Sequence, residues 1–505
     1  DVAGLVVLFW PGLGLAGLVV VLGVALVVGG ATRAVAGLRG TRDERLAAVL
    51  GGAGDVVLGV LALAWPDVTL VLVGVLFGLK LVWVGLVALR RGLSRPKPVR
   101  PDSPPGRFER LGHLVVSAVS LVLALALAWL STQLNAGTPV PDAFYDAPED
   151  VPARPGQLLR VESFDRGLPD DATGWRILYT TTRDEGQPAV ASALVVTAAD
   201  GPAGPRPVVA WAHGTTGAAE GCAPTLLEDP LGSGAAPGVR QVLDNGWTLV
   251  ATDYVGLGTQ GPHPYLIGEG EGRSVLDAVR AARQMEQTDV AGQTVVWGHS
   301  QGGHAALWTG QLATSYAPGL DIRGVAALAP ASGLVGLVGN LDVVPGGPIF
   351  ASYMLAAYDE VYDDVELEEY VRAAARIPVR EMAQRCLAEP EVFVSIVESL
   401  LFDRSIFSQS PTTGALGERL RENTPRDPIP FPLFIGQGAT DPLVLPDAQA
   451  AYVQRRCRLG DPLLYRTYPG RDHVGVVADD SPLVPELVAW TRDRFAGKQP
   501  PSTCP

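Results

Sequence analysis

Gly298-His299-Ser300-Gln301-Gly302 lies between an apolar, β-prone run, Gln293-Thr294-Val295-Val296-Trp297, and a helix-like stretch from Gly303 to Ala313. The pattern G-x-S-x-G sets a serine on a turn too sharp for a side chain at either flanking position. Such a turn lifts the hydroxyl above the end of a strand, where a base can reach it. In a chain with 59 glycines the five residues alone are a weak signal. The strand before and the helix after supply the context that the motif requires.

Strand, tight turn and helix around a serine resemble the α/β-hydrolase fold, which orders its catalytic groups as serine, acid, histidine along the chain. The chain has six histidines, at 113, 213, 263, 299, 304 and 473. Only His473 follows the elbow at a distance, in the glycine-flanked loop Gly470-Arg471-Asp472-His473-Val474-Gly475. The acid is expected on the loop after the preceding strand. Phe431–Gly436 reads as that strand, and Gly438-Ala439-Thr440-Asp441-Pro442 as the loop. Asp441 is therefore assigned; Asp472 adjoins the histidine and does not readily reach its far nitrogen.

These three residues predict nucleophilic acyl chemistry. His473 takes the proton of Ser300 as the oxygen attacks an acyl carbon, and Asp441 fixes the imidazole tautomer. The tetrahedral oxyanion needs fixed N–H donors. One is expected from the backbone of Gln301. The other is expected from Thr215 in the loop His213-Gly214-Thr215-Thr216-Gly217, which follows the strand-like Val208–Ala212. His213 is read as a structural hydrogen bonder.

Further strands are predicted at Leu158–Phe164, Trp175–Thr181, Ala189–Val196, Trp247–Asp253, Val325–Ala329 and Leu463–Tyr468. Helical patterns lie at Val275–Gln287, Asp447–Leu459 and Val484–Phe495. Strands alternating with helices imply a largely parallel sheet covered on both faces. About a hundred residues separate Ala329 from Pro430, far beyond an ordinary loop. This interval, at about 331–429, is expected to form a helical cap, with patterns at Ile349–Ala357, Leu367–Arg376, Val379–Cys386 and Val392–Leu401. Its apolar residues, among them Phe350, Met354, Phe393, Ile396, Val397, Leu400 and Leu401, are candidates for an acyl tunnel or for the cap's own core.

The first 130 residues differ in kind. They are rich in Leu, Val, Gly and Ala and carry a formal charge of +5, against −19 for the rest. Four stretches are long and apolar enough to span a bilayer, at about 13–30, 46–64, 68–89 and 113–130. Val2–Trp10 reads as the tail of another helix, and in a chain opening on Asp1 the beginning is expected to be missing or trimmed. Arg33, Arg39, Arg42 and Arg45 fall in one loop, and seven basic residues between Arg90 and Arg110 in another. With only Trp65-Pro66-Asp67 between the second and third spans, both loops share a side, which the positive-inside rule makes cytoplasmic. The fourth span then leaves the remainder outside the cytoplasm. Residues 131–156, rich in Pro, Asp and Ala, read as a linker to a hydrolase domain at 157–500. Asp55 and Lys80 fall near the middle of two spans and are expected to pair. Trp10-Pro11 and Trp65-Pro66 open two similar apolar segments that end near Arg39-Gly40 and Arg91-Gly92. This duplication resembles the HdeD-like family of small bacterial membrane proteins.

A longer series of motifs carries a second resemblance. His213–Gly217 with Cys222-Ala223-Pro224, then Thr252–Thr259, His263–Leu266 and Gly272–Asp277 resemble the secretory lipase family over about residues 150–500. That resemblance implies a carboxylester hydrolase with a helical cap, acting on acyl esters or lipids. Tyr254, Phe350 and Met354 are then expected at the substrate. The family's acidic helper of the oxyanion hole has no counterpart within 213–217. Four cysteines in an exported domain suggest two disulfides, with three possible pairings. The resemblance favours Cys222–Cys386 and Cys457–Cys504. No motif calls for a cofactor, a metal or a phosphate, and an acidic domain argues against nucleic acid. Two alternatives remain: an acyltransferase using the same acyl-enzyme, and a membrane sensor whose hydrolase domain only binds.

Overall fold

The computed structural model describes residues 11–38, 42–64, 107–134, 138–183, 186–201, 204–402 and 404–504. The chain divides into two units, residues 1–136 with 373–381, and residues 137–372 with 382–505.

In the first unit, α1 (Pro11–Gly37), α2 (Arg42–Ala64) and α3 (Arg107–Leu134) are long helices. Apolar runs of spanning length occupy Val20–Gly37 and Arg45–Ala64, and a shorter one Leu114–Ala126. The expected span at 68–89 lies outside the described residues. Glycines at seven-residue spacing bring α1 and α2 together. A Cβ at Gly30 would overlap the carbonyl of Gly52, and one at Gly23 would meet Leu63 and the carbonyl of Gly59. Where the surroundings are as apolar as the helix, such close backbone approach is what makes association favourable. Asp55 is paired, but with Arg33 at 3.1 Å. Its expected partner, Lys80, lies outside the described residues. The pairing with Arg33 arises because α1 continues to Gly37, so that Arg33 is a helical residue facing α2 and not part of the loop.

The second unit is built on a nine-stranded sheet in the order β1-β2-β3-β5-β4-β6-β7-β8-β9. β1 (Leu158–Phe164), β2 (Ala172–Thr182) and β3 (Pro188–Ala198) form an antiparallel meander that joins β5 antiparallel. β4 (Arg206–Ala212), β5 (Thr248–Thr252), β6 (Val290–His299), β7 (Asp321–Leu328), β8 (Leu433–Gly438) and β9 (Leu463–Tyr468) run parallel. The parallel strands are continuous apolar runs because both faces are covered. Val208, Ala210, Val250, Val296 and Val325 face one core, and Val209, Trp211, Val295, Trp297 and Phe434 the other.

Between the strands lie α4 (Val239–Asp244), α5 (Gly268–Ala282) and α6 (Gln301–Tyr316). After β7 the chain forms α7 (Leu334–Asn340), α8 (Gly347–Val361), α9 (Leu367–Tyr370), α10 (Arg376–Ala383, of which 376–381 fall in the first unit), α11 (Val392–Leu401) and α12 (Gly414–Glu422). α13 (Pro446–Leu459) and α14 (Leu483–Phe495) complete the parallel half. The single helix expected over Leu367–Arg376 stops at Tyr370. Val371 instead bridges Phe407, and the Arg372 N–H donates to the Ile406 carbonyl.

The arm expected as a linker is packed. Phe144 and Tyr145 are buried with Leu178 and Val190. The Arg176 guanidinium lies 4.2 Å over the Phe144 ring, and the Tyr145 hydroxyl bonds Thr225 Oγ1 at 2.9 Å. Two aromatic side chains bury enough apolar area to fix a segment that has no periodicity of its own. Disulfides join Cys222 to Cys386 and Cys457 to Cys504.

Candidate active site

Ser300 occupies the turn between β6 and α6 with φ 58° and ψ −116°, a region that costs a non-glycine residue on the order of 1–3 kcal/mol. Its neighbours hold it there. The Ser300 N–H donates to the Leu328 carbonyl at 2.9 Å, and the Ser300 carbonyl accepts from the N–H groups of Ala331 and His304. The flanking glycines are obligatory: a Cβ at Gly298 would overlap the Gly302 carbonyl, and one at Gly302 the Ala212 carbonyl. This second contact seats the first turn of α6 against the end of β4, which carries the His213–Gly217 loop.

His473 Nε2 stands 2.8 Å from Ser300 Oγ, and His473 Nδ1 stands 2.8 Å from Asp441 Oδ2. The buried Asp441 carboxylate also accepts from Gln437 Nε2 at 3.0 Å and from the N–H groups of Leu443 and Val444 at 2.9 Å each. Four accepted hydrogen bonds fix its plane, so the Nδ1–H of His473 has one acceptor and Nε2 keeps its lone pair for the serine. The loop bearing His473 is held by a residue that reading of the sequence left without a role. His299, the second residue of the elbow, donates its Nε2–H to the His473 carbonyl at 2.8 Å. Burial, and after it the neighbouring His473, hold the His299 imidazole at about 3, well below the usual range, so it stays neutral.

Ser300 opens into a crevice lined by Thr215, Tyr265, Leu266, Gln301, Leu337, Val338, Leu341, Phe350, Met354 and Val444. Thr215, Gln301, Phe350 and Met354 are thus brought together with Ser300. Tyr254 is not: it is fully buried, and its hydroxyl donates to the His213 carbonyl at 3.1 Å beneath the loop. Tyr265 lines the crevice instead, and its hydroxyl bonds Thr215 Oγ1 at 2.9 Å. The tunnel residues expected from α11 are also absent from the crevice. Phe393, Val397, Leu400 and Leu401 are more than half exposed and Ile396 slightly less, while Ser395 and Glu398 on the same helix are buried. The reason is Arg385, whose guanidinium reaches Glu398 at 3.1 Å and draws the polar face inward.

The loop beside the serine rests on buried polar groups. His213 Nδ1 donates to the Gly214 carbonyl at 2.7 Å, and burial brings its imidazole down to about 4. This is the structural hydrogen bonding expected of it. Asp253 accepts from Ser192 Oγ, Thr225 Oγ1 and the Thr225 N–H, yet burial outweighs these bonds and raises its carboxyl to about 6. Among the described residues no group of His, Cys, Asp and Glu is arranged to hold a metal ion.

Sheet order, elbow and cap position define an α/β-hydrolase fold. Solved structures agree: Candida antarctica lipase A in its closed state superposes with a TM-score of 0.62 at 22% identity, over 73% of this chain and 88% of that one. The rice cell wall degrading esterase of Xanthomonas oryzae superposes at 0.54 and 20% identity, over 68% and 99%. The model of the secretory lipase family matches residues 237–503. The chain belongs to that family and is a carboxylester hydrolase. A lipase A of Moesziomyces aphidis is 26% identical over 77% of this chain and 88% of its own length. A probable inactive lipase of Mycobacterium tuberculosis is also 26% identical, over 71% and 83%. A short repeat of unknown function, DUF308, matches twice, at 2–54 and 50–129, in keeping with the duplicated hairpin read from the sequence.

Proposed function

We propose that this chain is a membrane-anchored, extracytoplasmic serine lipase or esterase that works through Ser300, His473 and Asp441. The carrying observation is the unbroken hydrogen-bonded series from Asp441 to His473 to Ser300, with 2.8 Å at each link. His473 takes the Ser300 proton as Oγ bonds the acyl carbon. The oxyanion so formed is received by the backbone N–H groups of Gln301 and Thr215. His473 then gives its proton to the leaving alcohol, and the acyl–Oγ bond remains. Water attacks that ester by the same route, releasing the acid and restoring Ser300. The apolar lining from α7 and α8, with Phe350 and Met354, supports an acyl chain as the occupant of the crevice. The anchor reading is supported by the apolar helices, the DUF308 match and the basic residues clustered at 39–45 and 90–110, which the positive-inside rule would put on one side.

A fluorophosphonate probe tests the enzyme. Labelling of the full chain in detergent, together with turnover of p-nitrophenyl esters, is expected to disappear in Ser300→Ala. A folded parent protein that neither labels nor turns over would end this reading and favour a binding module. Products analysed in the presence of an alcohol separate hydrolysis from acyl transfer.

A further inference from the structure

One buried carboxylate has no part in the reaction as described. Glu271, in the first turn of α5, is fully buried. Its Oε1 accepts from Gln301 Nε2 at 2.8 Å and from the Leu266 N–H at 3.0 Å. Its Oε2 meets His304 Nδ1 at 2.8 Å, and His304 Nε2 donates to the Asn423 carbonyl at 2.7 Å. The two residues held by Oε1 both line the crevice. Gln301 bears one expected oxyanion donor. Leu266 follows Tyr265, whose hydroxyl bonds the side chain of Thr215, the residue of the other donor. Leu266 also sits at φ 57°, a conformation a branched residue keeps only when its peptide is held from outside. Its carbonyl accepts from Tyr358 of α8 at 3.0 Å, and its N–H has Glu271. The second Nε2 proton of Gln301 faces His263 Nε2 at 3.1 Å. Burial keeps the His263 imidazole neutral, at about 3, and so able to accept it.

We infer that Glu271 is the positioning residue of the oxyanion hole, fixing Gln301 directly and Thr215 through the Leu266–Tyr265 segment. It touches neither substrate nor reacting atoms. This inference rests on the proposed acyl-enzyme mechanism. A donor displaced by a fraction of an ångström stabilises the transition state poorly while leaving substrate binding intact. The carboxylate stands outside the His213–Gly217 loop, where the sequence offers no acid, and it orders both donors from beneath.

The test compares Glu271→Ala, Glu271→Gln and Gln301→Ala with the parent chain, each measured on folded protein. Glu271→Ala and Gln301→Ala are expected to lose about 10- to 100-fold in kcat with KM within about twofold. Affinity for an alkyl boronic acid, which binds serine as a tetrahedral adduct, is expected to fall in step with kcat. Glu271→Gln keeps a side-chain oxygen to accept from Leu266 and Gln301 and leaves an amide group beside His304 Nδ1. It is expected to stay within about threefold of the parent. Should Glu271→Ala fail to fold, Gln301→Ala still removes the link while leaving the Glu271–His304 pair in place. Unchanged kcat and boronate affinity in the Ala variants, beside parent turnover that requires Ser300, would overturn the positioning role alone. Parent turnover that survives Ser300→Ala would overturn the proposed mechanism and this inference together.

Discussion

At the scale of single residues, the three side chains that the structure brings together, Ser300, His473 and Asp441, were legible because each is constrained by order as well as type. Ser300 lies in a five-residue pattern with a steric cause, and once it is placed only His473 satisfies the chain order. The supporting residues left no such trace. His299 reads as an incidental neighbour of the serine, yet its Nε2–H fixes the His473 loop. Glu271 is one acid in a glycine-rich run, and only the packing of α5 against α6 brings it to Gln301. The Asp441 assignment can be separated from mere loop shaping. In Asp441→Asn the backbone N–H groups of Leu443 and Val444 still have an oxygen to meet, but Nδ1 of His473 can face an amide N–H and take the wrong tautomer. Turnover is expected to fall by about 10⁴ with the fold retained. Near-parental kcat in a variant with unchanged circular dichroism would mean that Asp441 only closes its Asp-Pro turn.

At the scale of elements, the strands were read within a few residues because their apolar runs are long and bounded by turns. The first turns of α5 were missed: Gly268-Glu269-Gly270-Glu271-Gly272 is a poor helix former. Its glycines are needed because a Cβ at 268 would overlap Trp308 and one at 272 would crowd the backbone at Thr309. Tertiary packing thus overrides propensity. α11 shows the converse, a helix read correctly in extent and wrongly in facing. Periodicity identifies an apolar stripe but not the Arg385–Glu398 pair that turns it outward. The two helices therefore predict different outcomes. Met354→Ala on α8 enlarges the crevice and is expected to raise kcat/KM for long relative to short acyl esters by about tenfold, the scale of a methylene-sized change in an apolar pocket. Phe393→Ser with Leu400→Ser on α11 should leave that ratio within about twofold, and stability within roughly 0.5 kcal/mol per exposed site. Profiles with monomeric p-nitrophenyl esters decide the matter. A changed length preference in the α11 variant would return those residues to the tunnel.

At the scale of the whole molecule, buried ionisable groups make stability depend on pH, and the sign follows from which state binds protons. Burial holds His213 at about 4 and His263 and His299 at about 3, against ~6.5 for an unfolded histidine. Below about pH 6.5 the unfolded chain takes up three protons that the folded chain refuses, so this contribution is complete above that pH and is lost on acidification. Asp253 acts oppositely. Its folded value of about 6 exceeds the usual ~3.9, so between these limits the folded state binds the extra proton and acid favours it. Asp277 and Asp461 are raised in the same direction by burial and add to that offset at the acid end. Three histidines against Asp253 leave about two protons in excess on the unfolded side near pH 5–6. At about 1.4 kcal/mol per proton per pH unit, the expected slope is on the order of 3 kcal/mol per unit. Domains of this kind hold only about 5–15 kcal/mol in all, so thermal midpoints of the full chain in detergent should fall steeply from pH 6.5 to 5. His299→Gln keeps an amide N–H for the His473 carbonyl while removing one titrating group, and is expected to shed about 1.4 kcal/mol per unit of that slope. A midpoint flat across this range, or the same slope in His299→Gln and parent, would show that these imidazoles accept protons in the folded state.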